Sequence, residues 1–137
     1  MITQITHIGH VVRDLDQTIE LYTKRLGFKA ASTRPMPLPG GRAFMITVSS
    51  QSIELIQPTD HEHRVGQFLD RHGEGWFHVS MNCDDIDATV AAFRQKGIIV
   101  ENPRFFTADQ TGPRIAFVDP QSVHGAVIEL NERGAGR

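Results

Sequence analysis

His7-Ile8-Gly9-His10-Val11-Val12-Arg13-Asp14-Leu15-Asp16 returns later in the chain, altered but recognisable, as His78-Val79-Ser80-Met81-Asn82-Cys83-Asp84-Asp85-Ile86-Asp87. The offset is 78 − 7 = 71 residues, and it also relates Ile19 to Val90 and Tyr22 to Phe93. A second pair of segments, Ile53-Glu54-Leu55 and Ile128-Glu129-Leu130, matches at 128 − 53 = 75 after small insertions. Self-similarity at a near-constant offset reads as two copies of one supersecondary unit.

Each copy has the same coarse layout. Ile5 to Val12 is rich in β-branched residues and reads as a strand. Asp14 or Asp16 can cap the next helix, because a carboxylate accepts first-turn N–H groups that have no intrahelical partner. Leu15, Ile19, Tyr22 and Leu26 recur at helical spacing as one apolar stripe, and Gly27 supplies the stop. Strands are expected at Phe28 to Thr33, Arg42 to Val48 and Ser52 to Gln57. Pro35, Pro37, Pro39, Gly40 and Gly41 form a breaker-rich loop, read as excluded from strand interior.

The second copy gives a strand from Trp76 to Asn82, a helix from Asp85 to Lys96 ending at Gly97, and strands near Ile98 to Glu101, Arg114 to Val118 and Ala126 to Asn131. A helix from His61 to Arg71 joins the copies, with Val65, Phe68 and Leu69 as its buried face. The fold expected is α+β: a single domain over residues 1–137, with module 1 at about 4–58, a linker helix at about 61–72, module 2 at about 75–131 and a tail at 132–137. The order is βαβββ, linker helix, βαβββ.

With 137 residues the chain can bury a real core, and 39% hydrophobic with 22% charged content excludes a disordered chain. A formal net charge of -2 gives no electrostatic footprint for nucleic acid or an anionic membrane. One cysteine, Cys83, cannot form an intrachain disulfide. No apolar run reaches the roughly 18 residues a spanning helix needs, and the N-terminus does not read as a signal peptide. The expected location is cytoplasmic.

Glu54 and Glu129 each sit in an apolar strand, where an unpaired buried charge would cost several kcal/mol. His7 and His78 sit early in the first strand of each copy. Two modules related by a pseudo-twofold axis would bring both histidines and both glutamates to one point. Two neutral imidazoles and two carboxylates make a neutral cage for a divalent cation, with room for two further oxygens in an octahedron. Taken singly, a strand histidine is more often a satisfied core or surface residue, and a strand glutamate more often faces solvent. The recurrence of both types at matching repeat positions favours the metal.

The remaining histidines are read otherwise. His10 has the opposite strand parity from His7 and should point away from a shared site. His61, His63 and His72 fall on or near the polar linker helix and are read as solvated. His124 lies in an expected turn. Trp76, Phe44, Phe106 and Phe117 are read as core, with Phe44 or Phe106 as alternative cavity lining.

The stretches at 7–16 and Ser-Ile-Glu-Leu-Ile-Gln-Pro at 52–58 resemble the vicinal-oxygen-chelate superfamily of glyoxalases, bleomycin-resistance proteins and dioxygenases, and within it the methylmalonyl-CoA epimerase family. Gly-Gln-Phe-Leu-Asp-Arg-His-Gly-Glu-Gly at 66–75, Phe-Val-Asp-Pro-Gln-Ser at 117–122 and His-Gly-Ala-Val-Ile-Glu-Leu at 124–130 carry the closer likeness. The resemblance spans about residues 5–131. It implies a glyoxalase-like fold with a curved mixed sheet around a metal site, and metal ligands at His7, Glu54, His78 and Glu129. The mixed N/O donor set suits cobalt, nickel, manganese, iron or zinc without choosing among them, and the resemblance further implies a small-molecule substrate that could be an acyl-CoA, and a homodimer. The epimerases carry a glutamate before the third strand as one of two acid/base groups; Leu38 occupies that place here and cannot carry a proton.

The function expected is metal-assisted transfer of an α-proton through an enolate-like intermediate, with Glu129 as first choice of base and Glu54 as second. A glyoxalase I-type lyase would use the same four ligands, but residues 28–44 show no clear counterpart of its glutathione-contacting arginine and asparagine. An iron dioxygenase would use His7, His78 and Glu129, and Glu54 would fill a position such enzymes keep open. A non-catalytic binding protein of this fold typically lacks the ligands that this chain retains.

Overall fold

The computed structural model describes residues 1–132. In chain order the elements are β1 (Ile2–Val11), α1 (Leu15–Glu20) running into a π-helical turn (Leu21–Arg25), β2 (Lys29–Ala30), β3 (Met36–Leu38), β4 (Gly41–Val48), β5 (Gln51–Pro58), α2 (Arg64–His72), β6 (Gly75–Cys83), α3 (Ile86–Gln95), β7 (Arg104–Phe105), β8 (Arg114–Val118), a 3₁₀ turn (Pro120–Val123) and β9 (Ile128–Glu132). The class is α+β, with parallel and antiparallel strand pairs. The last five residues of the expected tail, 133–137, lie outside the described residues. The chain divides into two compact units, His7–Phe77 and Met1–Thr6 with His78–Arg137.

In the unit His7–Phe77, β1 pairs in parallel with β5, and β5 pairs antiparallel with β4. One face of this sheet carries Val12, Phe44, Ile46 and Leu55, which pack with Leu15 and Tyr22 into a buried core. The register His7↔Ser52, Gly9↔Glu54, Val11↔Ile56 places His7 and Glu54 on the opposite face. There Val11 and Ile56 pack with Val65 of α2, joined by Leu38, Phe68, Leu69 and Phe77. The buried face expected of the linker helix is therefore present.

In the second unit, β6 pairs in parallel with β9, and β9 pairs antiparallel with β8. Cys83, Ile86, Val90, Val100, Ala116, Val118 and Leu130 form its core. Asp85 caps α3 by accepting from the Ala88 N–H at 2.9 Å, as Asp14 caps α1 through Gln17 N–H at 2.9 Å. The repeat extends to the caps.

Several expected elements are corrected. The strand Phe28 to Thr33 shrinks to Lys29–Ala30, because the Ser32 hydroxyl accepts the Met45 N–H at 3.0 Å and so replaces a ladder bond with a side chain. The proline-rich loop contains a strand after all, Met36–Leu38, paired with β4. Pro37 is tolerated at this sheet edge, where a missing N–H breaks no ladder on the outer side, and Gly40, at φ 77°, turns the chain back. At Ile98 to Glu101 only one bridge forms, Val100↔Val118. Arg94 takes the Val100 carbonyl at 2.7 Å and the Asn102 side chain at 2.8 Å, and pairing resumes at Arg104–Phe105.

The linker helix begins at Arg64 rather than His61. Asp60 and His61 cross so close to Gly66 that a Cβ there would lie 2.2 Å from the Asp60 carbonyl oxygen. The last strand starts at Ile128, two residues late, because His124 and Gly125 both take positive φ. The apolar stripe of the first helix stops at Tyr22. Leu26 N–H bonds to Leu21 O at 2.9 Å, an i→i+5 bond. The widened turn rotates Leu26 off the buried face, leaving it 56% exposed. Trp76 is likewise not core: it is 58% exposed and tilts against the His10 ring at a centroid distance of 4.9 Å. Phe44 and Phe117 are buried as expected, and Phe106 is half-buried.

Candidate metal centre

Each unit brings one histidine and one glutamate together. In His7–Phe77, His7 lies on β1 and Glu54 on the adjacent β5, with Nε2 and Oε1 3.8 Å apart. In the second unit His78 on β6 and Glu129 on β9 repeat the arrangement at 4.0 Å. Both separations exceed a hydrogen bond. They match two ligand atoms that each lie about 2.1 Å from one ion, which stand roughly 3 to 4 Å apart depending on the angle between them.

Burial sets the chemical state of His7. Loss of hydration lowers its pKa from 6.5 to about 4, so the ring is neutral at pH 7. Its closeness to Glu54 is then not an ion pair, and an imidazole nitrogen lone pair is offered instead. Imidazole nitrogen with carboxylate oxygen is a donor set that suits a first-row divalent ion. The residues present fit such an ion.

Glu129 is buried and carries hydrogen bonds that the sequence reading did not anticipate. Its Oε1 accepts from the Ser80 hydroxyl at 3.0 Å and from the Asn131 amide at 2.7 Å, and the same amide donates to Ser80 Oγ at 2.6 Å. The register Ser80↔Glu129 and Asn82↔Asn131 puts these groups on one face of two neighbouring strands. The signal was available: Ser80 is two residues after His78 and Asn131 two after Glu129, the spacing that returns a side chain to the same face. Phe117, opposite Glu129 on β8, sets its ring edge-to-face with His78 at 6.1 Å.

His10 points to the helix side of its sheet, as parity requires, and shares a 3.0 Å hydrogen bond with the Tyr22 hydroxyl. Burial lowers the His10 pKa, and the Glu74 carboxylate acts against that shift. His61 is exposed and pairs with Asp70 at 2.9 Å. His72 and His124 are also exposed, His124 in a left-handed turn. His63 departs from expectation: it is half-buried, its ring filling the space over Gly40, where a Cβ would lie 2.2 Å from Cγ. Leu38 lies on the His7/Glu54 face of its sheet, opposite Gly41 in register and packed into the Val11–Ile56–Val65 cluster. Among the described residues, no helix is long and apolar enough to cross a membrane.

A paired-module α+β fold with a histidine–glutamate pair in each unit defines a class, and the chain belongs to it: the glyoxalase/bleomycin resistance protein/dioxygenase superfamily, whose family model matches residues 6–117. Within that class the chain is similar to methylmalonyl-CoA epimerases. A methylmalonyl-CoA epimerase solved in complex with methylmalonyl-CoA and NH4+ is 32% identical, with a TM-score of 0.84, covering 96% of this chain and 95% of that one. The Mycobacterium tuberculosis methylmalonyl-CoA epimerase is 31% identical, with a TM-score of 0.85, covering 98% and 90%. The human mitochondrial methylmalonyl-CoA epimerase is 23% identical over 132 residues, which are 94% of this chain and 73% of that protein.

Proposed function

We propose that this chain is a divalent-metal-dependent enzyme that removes a proton from the carbon next to the carbonyl of a chelating substrate, with an acyl-CoA such as methylmalonyl-CoA as the first substrate to test. The observation that carries the reading is the imidazole–carboxylate pair repeated at equivalent strand positions in both units, His7 with Glu54 and His78 with Glu129. The four side chains together would hold one ion. When bound, the ion would act as a Lewis acid on the oxygen where negative charge develops. Similarity to an epimerase solved with methylmalonyl-CoA supports the substrate class.

The chain's own residues divide the remaining work. His7, neutral at pH 7, gives a nitrogen donor without competing for a proton. Glu129 is the first choice as the single base that accepts the α-proton, and Glu54 the second. Leu38, packed among Val11, Ile56 and Val65, contributes shape and no proton transfer. A single acid/base group on one side of the carbon predicts exchange without efficient inversion.

The test is proton exchange in deuterium oxide with metal-loaded protein and each stereoisomer of methylmalonyl-CoA. The expected result is deuterium entering one stereoisomer faster than the two interconvert. No exchange with either would refute this substrate. Turnover of the methylglyoxal–glutathione hemithioacetal in its place would establish lyase chemistry on the same centre.

A further inference from the structure

We propose that Ser52, Thr47 and Lys29 continue a row that starts at His7, and that the arm of a thioester substrate lies along it with an anionic group at the Lys29 ammonium. The inference rests on the acyl-CoA reading above. The register joins the row step by step: His7 stands opposite Ser52, Ser52 opposite Thr47, and Thr47 opposite Lys29. Cross-strand partners share a face. All four therefore lie on the face that carries Glu54, away from the helix-side core of Ile46 and Leu55.

Length selects the chemistry. Neighbouring strands stand about 4.8 Å apart, so three steps place the Lys29 backbone about 14 Å from that of His7. A pantetheine arm, from its sulfur to its phosphate oxygen, has about as many backbone bonds as four peptide units and spans roughly 14 Å when extended. A thioester held beside His7 and Glu54 would bring its first phosphate to Lys29. On the way, the half-buried Ser52 and Thr47 hydroxyls offer donors and acceptors to the amides of the arm.

The second module does not repeat the row. At the offset of 75, Ser52 corresponds to Val127. Continuing the β8–β9 register from Phe117↔Glu129 brings Asp119 opposite Val127, where the first module has Thr47 opposite Ser52. Asp119 accepts the Gln121 N–H at 2.8 Å and caps the 3₁₀ turn. An apolar side chain and a carboxylate offer nothing to an anionic arm, so the row belongs to the first module and is not a requirement of the strand pairing. A lysine on an edge strand such as β2 also discourages strand addition. That role needs no ligand, which makes the two separable by measurement.

The experiment is isothermal titration calorimetry of the cobalt(II)-loaded full chain with methylmalonyl-CoA and with methylmalonyl-pantetheine, which keeps the arm and lacks the phosphates. Lys29 is exposed and forms no ion pair among the described residues, so Lys29→Ala should fold as the wild type does. It should weaken the CoA ester by ~5- to 10-fold, the loss of one charge-assisted hydrogen bond, and leave the pantetheine ester unchanged. The difference should shrink at high salt, and Lys29→Arg should restore the CoA ester. Thr47→Val should weaken both esters alike, by ~3- to 5-fold. Equal CoA-ester affinity in wild type and Lys29→Ala overturns the proposal. So do equal losses of both esters in Lys29→Ala, or wild-type affinity for both in Thr47→Val. Wild-type protein that binds neither ester refutes the acyl-CoA reading itself, whereas failure of the row alone leaves wild-type binding of the CoA ester intact.

Discussion

At the scale of single residues, the neutral state of half-buried His7 has a measurable consequence. Its pKa falls from 6.5 in the unfolded chain to about 4 in the folded one. Between those values the unfolded state binds more protons, so stability rises with pH there. The contribution is complete above pH 6.5 and is lost as pH falls toward 4, up to roughly 3 kcal/mol. In EDTA-treated protein, urea unfolding across pH 4 to 7 should show this slope, and His7→Gln should flatten it; equal slopes would contradict the burial argument. The Tyr22 hydroxyl is a second case. Tyr22→Phe removes its hydrogen bond to His10, and the expected loss is about 1 kcal/mol by chemical denaturation. Leu38 is a third, since it packs with Val11, Ile56 and Val65. Leu38→Ala should cost about 1–2 kcal/mol, less than the 2–5 of a fully buried leucine, and should leave metal affinity unchanged.

At the scale of elements, the caps are the most repeat-like feature after the strands. Asp85 accepts from Ala88 N–H, and Asp85→Ala should lower stability by about 1 kcal/mol, read as a shift in denaturation midpoint at constant slope. The helices, the Asp14 cap, β4, β5, β6 and β8 were legible in the sequence because period, breaker and cap residues agree there. What escaped is physical in each case. The π-turn at Leu21–Arg25 is an extra residue within an apolar stripe that looks regular on paper. Ser32 and Arg94 divert backbone groups that propensity assigns to a ladder, and β3 survives its prolines because it sits at an edge. Trp76 looked like core because of its size, but it lies over His10 with much of its ring exposed. The histidines and glutamates of the candidate site were legible through the repeat, since no single one of them is distinctive. Ser80 and Asn131 were not, because their counterparts Gly9 and Ile56 break the repeat that revealed the rest.

At the scale of the whole molecule, duplication explains why a chain of this size carries matching pairs of metal-type donors on strands of two units. Membership in the superfamily fixes the scaffold, and one scaffold serves many reactions. The chemistry must therefore be argued from residues, and Leu38 adds no ionisable group to the carboxylates of the proposed site. The claim on which the rest depends is that His7, Glu54, His78 and Glu129 share one ion. Its most direct test is elemental analysis of purified wild-type protein beside His7→Ala and Glu129→Ala, one donor removed from each unit, with circular dichroism confirming that each variant folds. One divalent ion per wild-type chain and a large loss in both variants are expected. Undiminished metal in both would contradict it.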